Sequence, residues 1–91
     1  MAIFTVLSVE QSEPLNQKIL AEFSEANYRI SPMSWLVSFK GTSEELSKKL
    51  GLLDPTSNLR AVITRVESYH GRAPAPIWEW IKTKWEAAQN G

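Results

Sequence analysis

Apolar residues crowd the first nine positions: Ile3, Phe4, Val6, Leu7 and Val9, with Thr5 and Ser8 between them. β-Branched and aromatic side chains suit a pleated surface, so residues 2–9 read as a strand. Apolar positions of both parities predict a central strand, covered at least in part on both faces. The period then changes. Leu15, Ile19, Leu20 and Phe23 recur at helical spacing behind Pro14, which fits a first helical turn because its missing N–H would be unpaired there anyway. Glu13 is expected at or just before the cap, where its charge favours the positive end of the helix dipole. Gln17, Lys18 and Glu22 point away, and the helix should end near residues 24–27. Period two returns over residues 28–31 and 34–39, joined by a turn at Pro32. Trp35, Val37 and Phe39 share one face of the second of these strands, and Ser34, Leu36 and Ser38 the other. The aromatic face is expected to be core, under the helices.

After Lys40-Gly41, the run Thr42-Ser-Glu-Glu45 matches a capping box, in which Thr42 and Glu45 satisfy each other's free backbone amides. Leu46 and Leu50 form a short stripe. Gly51 fits the left-handed position past a helix end, with Leu52 placed for the hydrophobic contact that accompanies it. Residues 59–67 read as a fourth strand, Val62, Thr64 and Val66 alternating with Ala61, Ile63 and Arg65, and Arg65 on the more exposed face. Pro76 then opens a last helix. Ile77, Trp78, Ile81, Trp85 and Ala88 fall within a sector of roughly 100°. Trp80 lies about 60° outside it, with Lys84 one turn on. The order predicts an α+β domain on the ferredoxin-like βαββαβ plan, one antiparallel sheet with two helices on one face, plus an additional C-terminal helix. A single domain is expected over residues 1–91, with 73–91 as the helical extension.

Composition narrows the chemistry. Without cysteine there are no disulfides and no thiolate metal sites. The net charge is zero, divided as −2 over residues 1–57 and +2 over 58–91. That asymmetry is too weak for the basic footprint of a duplex DNA binder. No apolar run reaches the ~18 residues of a membrane span. The first eight residues lack the basic start of a signal peptide, so a cytoplasmic protein is expected. There is no phosphate-binding P-loop motif, and a lone histidine does not make an ordinary zinc site, so no metal or cofactor is expected. Glu44 and Glu45 are explained by capping. Ser8, Ser68 and His70 offer hydroxyls and an imidazole, but their spacing singles out no catalytic set.

The chemistry concentrates in the last third, which holds three of the four tryptophans and the only histidine. Trp78, Ile81 and Trp85 are expected to pack against a sheet. Trp80, with Lys84, is the candidate for an interface, where tryptophan is favoured. The loop Tyr69-His70-Gly71-Arg72, followed by Ala-Pro-Ala-Pro76, has two readings. Gly71 can turn the chain while the prolines stiffen it. Alternatively, Arg72 and His70 ahead of a helix N-terminus make an anion site for a nucleotide or single-stranded RNA, with Tyr69 or Trp80 for stacking. The leading expectation is a small module without a catalytic site. It is expected to form a homodimer or higher homo-oligomer through a sheet edge, an open sheet face or the terminal helix.

With Gly41-Thr42, the Gly51 helix end and Tyr69-x-Gly71-Arg72-x-x-x-x-Ile77-Trp-Glu-Trp-Ile81 in view, the chain resembles a family of small uncharacterised bacterial proteins, some labelled "SinR-like". The tail carries the specific part of that resemblance; the rest matches in layout. At fold level the order also resembles the CRISPR adaptation endonuclease subunits and related small toxin RNases, which implies a ferredoxin-like dimer and, as an alternative function, a divergent nuclease. Those adaptation subunits typically place an aspartate near the end of the first strand. Here that region reads Leu7-Ser-Val-Glu10, which speaks against metal-dependent cleavage.

Overall fold

The computed structural model describes residues 2–68 and 70–90, with side chains to residue 86. Seven elements follow in the order β1 (Ala2–Ser8), α1 (Glu13–Glu22), β2 (Asn27–Ser31), β3 (Ser34–Phe39), α2 (Ser43–Lys49), β4 (Ala61–Arg65) and α3 (Ala75–Asn90). The strands form one sheet in the order β2-β3-β1-β4 with every neighbouring pair antiparallel. β1 and β2 therefore run parallel to one another with β3 between them, and α1 makes the crossover. The class is α+β.

The local signals hold with small shifts. Ser12, not Glu13, caps α1: its hydroxyl accepts from the Leu15 amide at 3.2 Å. A short hydroxyl reaches its own chain's amides more readily than a glutamate. The Glu13 carboxylate instead accepts from the side chains of Asn16 and Gln17 at 3.2 and 3.1 Å. Both arms of the capping box at Thr42 and Glu45 are present, each 3.1 Å. The end of α2 is a Schellman motif. Gly51 has φ +77°, its N–H reaches the Lys48 carbonyl, and the Leu52 N–H reaches that of Ser47. The fourth strand is shorter than its apolar run, although Val66 still donates to the Ile3 carbonyl at 2.8 Å.

One face of the sheet carries the main core. Phe4 and Val6 from β1 and Trp35 and Val37 from β3 pack under Leu15, Ile19 and Phe23 around α1 and Leu46 and Leu50 around α2. Phe39 meets Phe4 and Phe23 edge-on, with ring centroids 6.2 and 5.8 Å apart. Leu20 departs from its predicted place in the α1 stripe: it is exposed, and Asn16 is buried. Leu15, Ile19 and Phe23 centre the buried face, and at about 100° per residue Asn16 lies roughly 60° from that centre and Leu20 roughly 100°. The buried amide has work to do there, accepting from the Trp35 indole N–H at 3.2 Å. Arg65 is exposed as expected, but it shares its parity with Ala61 and Ile63, which pack on the core; it lies at the strand end.

The other face is covered by α3 from the same chain. Ile3, Leu36 and Ile81 are buried there, ringed by Tyr28, Val66, Ile77, Trp78, Trp80 and Trp85. Each buried aliphatic side chain contributes roughly 1.5–3 kcal/mol. β1 is thus covered on both faces, as its apolar positions of both parities required.

Candidate functional site

The coverage by α3 is incomplete. Strand register places Thr5 between Leu36 and Thr64, and Leu7 between Ser34 and Val62. The helix lies over the Ile3 and Leu36 end of this face. At the other end Leu7 and Val62 stand directly opposite one another, 45% and 54% exposed. Ile30 on the same face and Met33 in the turn ahead of β3 are also exposed. Two apolar side chains opposite one another across neighbouring strands and both left open differ from a single scattered exposed leucine.

Between the covered and open parts lies a pocket of about 250 Å³. Its lining spans the chain: Ile3 and Thr5 of β1, Ile30 of β2, Leu36 of β3, then Val66, Ser68 and His70 after β4, and Ile77, Trp78 and Ile81 of α3. The floor is apolar and the rim carries Ser68 and His70, both exposed. The loop ahead of α3 is tied down by the Trp78 indole N–H, which donates to the Ala73 carbonyl at 3.0 Å. Gly71, at φ +143°, takes a conformation that a side chain would resist.

The predicted residues divide around this pocket. His70 lines it. Arg72 is exposed two residues further on and is not part of the lining. Tyr69 lies outside the described residues. Trp80 is half-buried against Tyr28, with ring centroids 6.3 Å apart at 57°, and Lys84 is half-buried one turn on. Ser68 and His70 meet at one pocket, but no hydrogen bond joins them; the Ser8 hydroxyl is elsewhere, donating to the Glu10 carbonyl. Glu10 lies beyond the opposite end of β1, its carboxylate 3.3 Å from Arg60. No group of three or more potential metal ligands occurs among the described residues, and no helix there is long and apolar enough to cross a membrane. Thr5, Ile30 and Leu36 were missing from the sequence-based site. Their signal was the second apolar face of β1 and β3, which does not say what it faces.

Compared with known proteins, the sequence matches no family model and no curated protein. The likeness of the tail to the small bacterial family therefore assigns no family. What stands is a small α+β fold that shows, among the described residues, a four-stranded antiparallel sheet, three helices and an apolar surface that hints at an interface.

Proposed function

We propose that this chain is a small self-associating module on the ferredoxin-like plan, pairing as a homodimer through the uncovered part of its sheet. The strand order β2-β3-β1-β4, with helical crossovers after β1 and β3, supports that plan. The observation that carries the association is the exposed cross-strand pair Leu7–Val62, with Ile30 and Met33 also exposed. The other routes are less favourable. Edge strand β2 has an irregular register between Arg29 and Ser31, and the Arg29 guanidinium donates to the Ser31 and Pro32 carbonyls at 3.3 and 3.1 Å. Bulges and charges of this kind blunt an edge. The apolar stripe of α3 is spent on its own sheet.

A two-fold contact uses the same patch on both copies. Each half-exposed aliphatic side chain gains roughly 1 kcal/mol on being covered. Four such residues on each of two copies gain on the order of 8 kcal/mol, against about 4–15 kcal/mol for association. The net is at most about 4 kcal/mol, so the dimer is weak, with a dissociation constant on the order of 1 mM or above. Sedimentation velocity across that range should show a reversible monomer–dimer equilibrium, shifted to monomer by Leu7→Glu and by Val62→Glu. Both side chains already reach water, so the folded monomer tolerates these changes. A monomer mass at every concentration, or a dimer indifferent to both substitutions, refutes the proposal.

A further inference from the structure

We infer that the pocket beneath the first turns of α3 is a binding site for a small aromatic or branched-chain carboxylate, its hydrocarbon part inward and its carboxylate at the Ser68–His70 rim. This stands on the pocket alone and does not require the dimer. A cavity of about 150 Å³ lined by aliphatic and aromatic side chains accepts benzene. The present pocket, about 250 Å³, has room for one ring or a branched chain with a short acid attached. Its floor is Ile3, Leu36 and Ile81, each less than 10% exposed, with Val66, Ile77 and Trp78 as half-buried walls. Water in such a place finds few partners, so an apolar group displaces it readily.

The polar groups choose the other end of the ligand. Among the described lining residues Thr5, Ser68 and His70 carry polar side chains besides the Trp78 indole, and none is an acid. Imidazole offers an N–H donor in either protonation state, and the serine hydroxyl offers another. Arg72, two residues beyond His70, is exposed and outside the lining. Glu67, the neighbouring acid, has its carboxylate 3.9 Å from Arg65. Donors without acceptors of opposite charge favour a carboxylate over an amide and disfavour an amine. The Trp78 ring forms part of the wall while its N–H is engaged by Ala73, so that wall recognises shape more than polarity.

The test is calorimetric titration of the full chain with phenylacetate and 3-methylbutanoate, alongside phenylacetamide and phenethylamine. Ligands of this size should bind once per chain with Kd on the order of 0.1–5 mM. The carboxylate should bind about fivefold or more tightly than its amide, and the amine most weakly. His70→Ala with Ser68→Ala, both at exposed positions, should erase the preference for the acid while leaving the amide's affinity within about twofold. Thr5→Phe, which fills the pocket, should abolish binding of all four probes. The inference is overturned if no probe saturates, if the amine is preferred, or if the double variant keeps the full preference for the acid. It is also overturned if adenosine monophosphate binds instead and depends on Arg72, since that places the site on the exposed loop.

Discussion

Asn16→Ala is expected to destabilise the protein by about 2 kcal/mol, well beyond the cost of trimming an ordinary polar residue on a helix. The Asn16 side chain is buried, and its Oδ1 accepts from the Trp35 indole N–H at 3.2 Å, with Trp35 itself fully enclosed. Removing the amide leaves that donor without a partner under α1. A buried unsatisfied group costs about 1–3 kcal/mol, and the lost side-chain contacts add to it. For a domain of this size 2 kcal/mol moves Tm by roughly 8–16 °C. Two further variants separate hydrogen bonding from packing. Asn16→Leu keeps the branched four-atom side chain and adds apolar surface, yet should still cost about 1 kcal/mol because the indole N–H remains unpaired. Trp35→Phe removes the donor, and in the double variant the penalties should overlap by about 1 kcal/mol. Urea unfolding followed by far-UV circular dichroism measures all five proteins without relying on Trp35 as the probe. A coupling energy within about 0.3 kcal/mol of zero, or a stabilising Asn16→Leu, refutes the reasoning.

Ile81→Ala should cost about 2–4 kcal/mol, since Ile81 closes the Ile3–Leu36 cluster, while Leu20→Ala on the exposed side of α1 should cost less than about 0.5 kcal/mol; equal effects in thermal melts would contradict the assigned faces. Gly41→Ala should be more damaging than Gly51→Ala. Both glycines have positive φ, but a Cβ at Gly41 would come within 2.6 Å of the Phe39 ring, whereas at Gly51 it meets nothing within 4 Å. About 1 kcal/mol is expected at Gly51 and roughly twice that at Gly41, read by denaturant midpoints. Hydrogen bonds from Asn16 and Gln17 hold the Glu13 carboxyl below its ordinary 4.5, and the backbone amide of Thr56, then its hydroxyl, hold Asp54 below 3.8. A carboxyl depressed by folding stabilises above its unfolded pKa and loses that contribution as pH falls through the folded one. Stability should therefore decline below about pH 4.5, and Glu13→Gln with Asp54→Asn should flatten that decline; an unchanged pH profile of urea midpoints would show that these contacts do not persist in solution.

The features legible in the sequence were those made by neighbours along the chain. The Thr42–Glu45 box, the stop at Gly51 and the Trp35–Val37 face each depend on residues a few positions apart. Backbone geometry alone brings these residues together. Likewise, the apolar positions of both parities in β1 required cover on two sides, whatever supplied it. Tertiary structure decided the rest, because it turned on which distant surfaces meet. Asn16 is the clearest instance: as a helix residue it is an ordinary polar side chain, and only the Trp35 indole above β3 makes its burial favourable. The same holds for the site. Leu7 and Ile3 alternate identically along β1, yet α3 covers Ile3 and stops short of Leu7, so one is core and the other an open surface. His70 was visible as an isolated imidazole in a loop. Its place at the rim of an apolar pocket exists only because α3 folds back over its own sheet, gathering residues from position 3 to position 81 around one space.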